Sequence, residues 1–467
     1  MQDLSTLEQR LERLGIQDHP KAKKLLSKAT VTENQRIQKV AKQRLHIFIQ
    51  QYQEYPFTEE TPDTSYLDDP VILGETLQDR EPYALKESDL TKHVLTIGAT
   101  GAGKTTLHRN LMTQLNSPFW AFDRKQDYRH LIQEMDNLLV LPWKQLKLNP
   151  LKPPEGVDPD RWANIFSIIF SQCFGLLTGS EGFLTTAVIR LYTKYGLYKD
   201  CSAPYPSLFE LTRLVKSDEI DVGPSSVNYK DRGYWRLHPQ LLNAGKIFDC
   251  SEGYSVRELI QKNIVFEIGG RNRNLQRFIQ QILFAKVYEY FLAHNQRDMG
   301  VQLAFIVDEA KQLFSVYLEM QDASGMPEID DMAAKSRQLG LPIIAADQEA
   351  TKLTESLKAN TDTKVLLPVN DQKQLEAIAE SMQLNQLQKR YIRNLDVGQA
   401  VIQHGSRKPL PVDLDDHTLP GHVDDEQLEA RMDSQWENME YTERKPGKLD
   451  FSKDSGSPDD SNLEKYL

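Results

Sequence analysis

The stretch HVLTIGATGAGKTT, residues 93–106, decides the fold of this chain. It opens with an apolar, β-branched run, passes through three glycines and ends in Lys-Thr-Thr, directly before the helical pattern LHRNLMTQL. Its second half matches the pattern G-x-x-x-x-G-K-[ST], in which a strand leads through a glycine-rich turn into a helix. The stretch therefore predicts a strand, a phosphate-binding loop (P-loop) and a helix, in that order.

The loop residues have distinct predicted roles toward a nucleotide. Glycines let backbone N–H groups turn toward phosphate oxygens, and the helix N-terminus adds a favourable dipole. We predict that Lys104 contacts the β- and γ-phosphates of ATP and that Thr105 binds Mg²⁺. A chance glycine-rich turn is the alternative, which the strand–helix setting disfavours. The predicted nucleotide-binding loop comprises Gly98, Ala99, Thr100, Gly101, Ala102, Gly103, Lys104, Thr105 and Thr106.

The segment LAFIVDEA, residues 303–310, is an apolar run that ends in two carboxylates. In a parallel sheet, such a strand delivers its last residues to the edge where phosphate-binding loops gather. We predict that Asp308 holds Mg²⁺ and that Glu309 polarises the attacking water as general base. The alternative is a strand that merely ends in acidic residues, and the upstream P-loop favours the catalytic interpretation.

Two more strands end in polar residues. LPIIAADQ places Gln348 at the end of a buried strand, where it is either a sensor of the nucleotide or a solvated loop residue. FWAFDRKQD places Asp123 and Lys125 just after another strand, where they either contact nucleotide and water or are simply solvated.

Arginines offer a further catalytic part, because hydrolysis needs positive charge on the γ-phosphate. Arg337 lies in KSRQLG, just before the strand that ends at Gln348, and Arg271 and Arg273 follow the apolar run NIVFEI. Any of them could complete the site of a neighbouring subunit. The alternative for each is an exposed, salt-bridging arginine.

From residue 93 onward strands alternate with helices, which predicts an α/β fold with a mainly parallel sheet covered by helices on both faces. We assign 93–411 to this core, with a helical insertion at about 151–262. Residues 1–55 form a predicted helical module, in which four leucines recur at helical spacing: Leu4, Leu7, Leu11 and Leu14. That face either packs on its own chain or docks a partner.

The remaining segments are a linker with short β pieces at 56–92 and an acidic tail at 412–467. Sixteen of the 67 acidic residues and six of the 56 basic residues lie in the tail. The body is therefore nearly neutral, although the whole chain carries a net charge of −11. The tail composition predicts disorder, with a short helix around 424–440.

Composition excludes several classes of protein. A hydrophobic content of 39% and a charged content of 26% are typical of soluble globular chains. The three cysteines are few and far apart, which fits neither a disulfide framework nor a zinc site and predicts a cytoplasmic setting. The longest apolar stretch, 163–177, is too short to span a membrane. No nuclease signature stands out, so any nuclease activity would belong to a partner.

These segments together resemble the HerA/FtsK superfamily of P-loop motors, especially its HerA-like and conjugative branches. The matching pieces, in the family's order, are ILGE before the P-loop, AFDRKQDY, LKLNPL, IVDEA, the strand ending at Gln348, and the closing run KANTDTKVLLPV…VGQAVIQ. The resemblance covers about 70–412. It differs at the N-terminus, since HerA begins with a small β-barrel and coupling proteins often begin with membrane helices.

The resemblance implies a RecA-like core in a hexameric ring, with ATP and Mg²⁺ at subunit interfaces and double-stranded DNA in the pore. It assigns Lys104 and Thr105 to nucleotide and metal, Asp308 and Glu309 to hydrolysis, Gln348 to sensing and Arg337 to action in trans. The leading hypothesis is an ATP-driven DNA translocase that works with a separate enzyme, such as a nuclease, in repair or anti-phage defence. The alternatives are an ATP-regulated scaffold for an effector and a conjugative or DNA-packaging ATPase.

Overall fold

A computed structural model describes residues 4–14, 16–31, 35–57, 62, 64, 67–200, 203–217, 227–295, 297, 299–317, 327–417, 419 and 421–444. The strands are β1 Pro70–Thr76, β2 Pro82–Lys86, β3 Val94–Ile97, β4 Phe119–Asp123, β5 Leu138–Pro142, β6 Cys250–Glu252, β7 Asn263–Glu267, β8 Ala304–Asp308, β9 Ile343–Asp347, β10 Thr363–Leu366, β11 Gln399–His404, β12 Leu410–Leu414 and β13 Thr442–Glu443.

The described helices are fifteen in number. They are α1 Leu4–Arg13, α2 Pro20–Thr30, α3 Gln35–Glu54, α4 Lys104–Gln114, α5 Pro159–Phe174, α6 Thr178–Tyr195, α7 Leu208–Lys216, α8 Val227–Ala244, α9 Val256–Leu259, α10 Arg273–Ala293, α11 Glu328–Ser336, α12 Glu355–Asn360, α13 Gln372–Ala379, α14 Gln386–Ile392 and α15 Asp425–Glu437. Among the residues described, no helix is long and apolar enough to cross a membrane.

One sheet of eleven strands organises the core, in the order β2-β1-β12-β11-β10-β3-β9-β8-β4-β7-β5. The seven strands from β10 to β5 are parallel, and the other four are antiparallel. The parallel strands are buried along almost their whole length, as continuous apolar runs covered on both faces must be. The predicted α/β fold with a mainly parallel sheet is confirmed.

The strand before the P-loop, β3, lies between β10 and β9 in the middle of the sheet. The carboxyl ends of the parallel strands meet at one edge, called here the carboxyl edge, and their amino ends meet at the amino edge. Because ligand sites of such sheets lie at the carboxyl edge, the loops after β3, β4, β8 and β9 are the ones that build the site.

The core is longer than predicted at both ends. Strands β1 and β2, from the predicted linker region, join the main sheet, and Thr76 of β1 pairs with Val412 of β12. Strand β12 crosses the predicted boundary at 411. These strands are short and pair with residues far away in the chain, so local patterns signal them weakly.

The predicted disorder is wrong for the described part of 412–444, whereas the predicted short helix around 424–440 is present as α15; 445–467 lie outside the described residues. Helix α15 packs its buried Leu428, Met432 and Trp436 against the core. Trp436 donates its indole N–H to the carbonyl of Val140 (2.9 Å), and the Val140 N–H donates to the Met432 sulfur (3.5 Å). Since β5 is the last strand of the sheet, α15 covers an edge that would otherwise offer unpaired backbone groups.

We predict that Trp436→Ala lowers the free energy of unfolding by about 3 kcal/mol, because it removes a buried aromatic ring and opens a cavity over β5. Urea denaturation followed by circular dichroism measures the change. The matched control is Trp235→Ala, since the Trp235 side chain is 66% exposed. Equal, small effects of both substitutions would contradict a stabilising role for α15.

Helices α1 to α3 form a module with its own core, which includes Leu7, Leu11, Leu45 and Phe48. The predicted insertion region holds α5 to α8, the short β6 and α9; α5 packs against the long buried α10, and α6 packs against α5. These elements do not line the cavity described next, although Arg277 of α10 donates a hydrogen bond to the carbonyl of Gln312, in the segment after β8.

Candidate nucleotide-binding site

The P-loop turns tightly through two glycines with left-handed backbone. Gly101 has φ of +75° and Gly103, the N-cap of α4, has φ of +112°, values that residues with a Cβ rarely adopt. Helix α4 begins at Lys104 directly after this turn. Its first-turn N–H groups have no partner within the helix, so they are donors for an anion at the helix N-terminus.

Lys104 is held by the loop that it follows. Its Nζ donates to the carbonyl oxygens of Gly98 (2.9 Å) and Ala99 (2.7 Å). Burial lowers the pKa of Lys104, and the nearby carboxylates of Asp308 and Asp347 oppose that shift. The loop therefore fixes a mostly buried ammonium group at the N-terminus of α4.

A cavity of about 650 Å³ opens beside the P-loop. One wall consists of Thr100, Gly101, Gly103, Lys104, Thr105 and Thr106. Asp308, Lys125 and Gln348 also line it, so three separate strand ends contribute side chains to one space. Two predicted ligands of Mg²⁺, Thr105 and Asp308, share this cavity, which suits an ion that usually keeps several waters.

Glu309 lies beside the cavity in a network of ion pairs. Its carboxylate contacts Arg124 Nη1 (3.1 Å) and Lys125 Nζ (3.5 Å), and Lys125 Nζ lies 3.8 Å from the Asp308 carboxylate. The backbone of Glu309 is left-handed, with φ of +54°, a conformation that costs a non-glycine residue roughly 1 kcal/mol or more. Both acidic residues at the end of β8 are thus joined to the loop after β4.

The structure corrects the prediction for Asp123. Its side chain is 2% exposed, and it does not line the cavity. The carboxylate accepts the backbone N–H groups of Lys125 (2.9 Å), Gln126 (2.8 Å) and Tyr128 (2.7 Å), and burial raises its pKa to about 6. Asp123 therefore shapes the loop that presents Lys125 rather than contacting a ligand itself.

Gln348 and its neighbour Asp347 connect β9 to the other loops. Gln348 Oε1 accepts a hydrogen bond from Thr100 Oγ1 of the P-loop (2.8 Å). The buried Asp347 carboxylate accepts backbone N–H groups of Gln348 (2.7 Å), Glu349 (2.9 Å) and Lys311 (2.8 Å). These hydrogen bonds connect the P-loop to the end of β9 and to the segment after Glu309, so a movement of the P-loop would affect both.

Of the predicted arginines, Arg337 lies far from its own cavity. It is exposed and directly precedes β9, so it sits at the amino edge. The buried His93 precedes β3 at the same edge. Burial lowers the pKa of His93 to about 4, and the positive charge of Arg337 contributes to this shift. Arg271 and Arg273 follow β7 at the carboxyl edge, and the Arg271 guanidinium stacks 3.2 Å from the centre of the Trp143 ring.

Several site residues were not predicted from the sequence. Arg124 adjoins the predicted Lys125, and Asp347 is another carboxylate at a strand end. Both residues could therefore have been predicted from their positions at the ends of strands. Others line the cavity from the predicted tail and the turn before β11, and no local pattern marks them: Val397, Gly398, Asp413, Asp415 and Asp416. Among the described residues, no group of three or more His, Cys, Asp or Glu side chains is arranged to hold a metal ion.

A P-loop after the central strand, with an acidic pair at the end of a nearby parallel strand, defines the P-loop NTPase class of fold. The chain is similar to the structure of VirB4 of Thermoanaerobacter pseudethanolicus, with a TM-score of 0.60 and 18% identity over 78% of this chain and 99% of that one. It is also similar to the bacterial conjugative coupling protein TrwBdeltaN70, with a TM-score of 0.55 and 16% identity over 72% of this chain and 88% of that one.

A structure of plasmid coupling protein TrwB in complex with ADP and Mg²⁺ gives a TM-score of 0.52 at 16% identity, over the same shares of both chains. No family model matches this chain, and no curated protein does. Structural similarity at sequence identities this low establishes the fold but not the activity. The chain shares its fold with these conjugative proteins, and this is the kind of P-loop fold that the sequence resemblance implied.

Proposed function

We propose that this protein binds and hydrolyses ATP with Mg²⁺ and uses that cycle to translocate double-stranded DNA. The observation that carries the ATPase part is the single cavity lined by Lys104, Thr105 and Asp308, with Glu309 at its side. The fold shared with conjugative proteins supports the DNA part.

In this proposal each side chain has one task. Lys104 and the first-turn N–H groups of α4 bind the phosphates, while Thr105 and Asp308 would hold Mg²⁺, which neutralises phosphate charge when bound. Glu309 accepts a proton from the attacking water once its carboxylate leaves Arg124. Lys125, freed from the same pairs, can then turn toward the phosphates. Gln348 reports the state of the P-loop through Thr100.

We further propose that the protein works as a homo-oligomeric ring, a hexamer by family resemblance. In such a ring Arg337 would act on the nucleotide of a neighbouring subunit, because it is exposed at the amino edge, away from the cavity of its own chain. In mixtures with wild type, Arg337→Ala subunits should then lower ATPase activity more than their proportion. Activity that falls in strict proportion would argue against action in trans.

A separately encoded effector, such as a nuclease in repair or defence, remains part of the proposal. The second candidate function is an ATP-regulated scaffold that organises such an effector without moving DNA. The N-terminal module, with exposed Ile37, Val40 and Ile47 on α3, favours this candidate, since exposed apolar residues suit a protein partner.

The test is the ATPase rate of the purified full chain with and without duplex DNA at low salt. The translocase proposal expects DNA to raise the rate, and this stimulation should weaken as salt rises. If DNA does not change the ATPase rate and the protein shows no salt-dependent DNA binding, the translocase proposal is contradicted and the scaffold is favoured. A lack of ATP hydrolysis under all conditions would contradict both.

A further inference from the structure

The helical module at the N-terminus is basic, in contrast to the rest of the chain. Residues 20–54 contain eight Lys or Arg and two acidic residues, whereas the whole chain has a net charge of −11. Positive charge is therefore concentrated on the two helices α2 and α3. Concentrated charge of one sign is what sets the electrostatic attraction of a surface for its partners.

These helices turn their apolar side chains inward. On α3 the buried positions Ala41, Leu45, Phe48 and Tyr52 recur at helical spacing, and on α2 the buried Ala22 faces the same core. The opposite sides of both helices are left to solvent.

The exposed residues on the solvent side form what we call the basic face: Lys21, Lys24 and Lys28 of α2, with Arg36, Lys39 and Arg44 of α3. Lys21, Lys24 and Lys28 are spaced to share one side of α2 along roughly 10 Å of helix. Within the described part of the chain, no carboxylate lies at ion-pair distance from Lys24, Lys28, Lys39 or Arg44. Their charges are thus not neutralised internally.

The module is attached to the ATPase core by specific contacts. Asn385 Nδ2 donates to the Tyr52 hydroxyl (3.1 Å), Gln388 Nε2 donates to the Pro56 carbonyl (3.2 Å), and Leu387 packs on the core of the module. The rings of Tyr55 and Phe57 pack edge-on against Tyr391. A ligand on the basic face would therefore be held at a defined position relative to the core.

We propose that the basic face binds the phosphate backbone of duplex DNA, as a contact outside the ring pore; this inference rests on the proposed function. A duplex presents one negative charge per about 1.7 Å of its axis, so exposed lysines and arginines concentrated on two adjacent helices are suited to meet more than one phosphate. Such contacts hold the duplex without reading its sequence.

A membrane surface is the rival partner for basic helices. A helix that binds a membrane needs a free apolar face to bury among the lipids. The buried apolar face of α3 is occupied by the core of the module. The exposed Ile37, Val40 and Ile47 share their side of α3 with Arg36 and Arg44, so they form a narrow strip interrupted by charge and not the wide apolar face that lipids require. The structure therefore favours DNA.

The experiment compares two full-length variants with equal changes of charge. The face variant carries Lys24→Glu, Lys28→Glu, Lys39→Glu and Arg44→Glu. The control variant carries Lys199→Glu, Arg232→Glu, Lys262→Glu and Lys373→Glu, four exposed positions elsewhere on the chain. Fluorescence anisotropy of a labelled random-sequence duplex is measured over a series of salt concentrations, together with the ATPase rate without DNA.

The face variant should bind at least about tenfold more weakly than wild type, and the slope of log affinity against log salt should shrink by roughly 3 to 4. Its ATPase rate without DNA should equal that of wild type, and the control variant should keep most of the DNA affinity. Equal losses in both variants, or an unchanged slope in the face variant, would overturn the inference.

The outcomes also separate this inference from the proposed function. If DNA binds to wild type and raises its ATPase rate, and the face variant binds DNA equally well, only the role of the basic face is refuted. If wild type does not bind DNA and its ATPase rate does not change with DNA, both the translocase proposal and the DNA-binding role of the basic face are contradicted. Unchanged DNA binding by the face variant, with lost binding to vesicles of anionic lipid, would assign the face to a membrane instead.

Discussion

Lys104→Ala should lower the affinity for ATP by at least about 100-fold, because it removes about 3 kcal/mol of charge-assisted contacts to the phosphates. Lys104 is the buried cation that the P-loop carbonyls of Gly98 and Ala99 hold at the N-terminus of α4. A fluorescent ATP analogue, titrated into the purified protein, measures the change.

The fold should survive this substitution, since alanine is an excellent helix former and the change removes a charge that burial disfavours. The circular dichroism spectrum should therefore match that of wild type. Lys199→Ala, at an exposed position, is the control and should leave nucleotide binding unchanged. Near-normal ATP affinity in Lys104→Ala would contradict the assignment of the cavity as a nucleotide site.

Glu309→Gln should retain ATP binding and lower the rate of hydrolysis by about 1,000-fold, the size of effect expected from a general base. Glutamine keeps the shape of the side chain but cannot accept the proton of water. The pairs with Arg124 and Lys125 also weaken, because glutamine carries no charge. Single-turnover hydrolysis and equilibrium ATP binding, measured on the same preparation, separate the two effects.

The matched control for this experiment is Glu349→Gln. Glu349 also follows the end of a parallel strand, but its carboxylate is paired with Lys311 and Lys352 and does not line the cavity. Its replacement should change hydrolysis far less than that of Glu309. Hydrolysis at the wild-type rate by Glu309→Gln would show that another group activates the water.

The site is partly readable from sequence because parallel strands deliver their last residues to a common edge. Asp308, Lys125 and Gln348 were predicted on that ground and Lys104 from the P-loop pattern, and all four line one cavity. Asp123 was predicted by the same rule and does not line it. A carboxylate at a strand end can point outward to a ligand or inward to backbone N–H groups, and the residue pattern is the same in both cases.

The C-terminal part of the chain shows a second limit of prediction from sequence. For 412–467 the sequence predicts disorder with a short helix around 424–440. The helix is present at Asp425–Glu437, but the strand Leu410–Leu414 and the packing of that helix over the edge of the sheet were not predicted. The stabilising contacts come from partners almost 300 residues away, such as Val140 for Trp436. Acidic composition lowers local propensity but does not report on such packing.

The sequence by itself determined the P-loop and the class of fold. Positive φ at Gly101 and Gly103, the lysine that follows and the apolar strand before them are all local properties, so fourteen consecutive residues suffice to specify them. Only the tertiary structure decided that Asp413, Asp415 and Asp416 line the cavity and that Arg124 holds Glu309. Those arrangements depend on which distant strands pair and on which way a buried carboxylate turns, and neither is encoded in any single stretch of the chain.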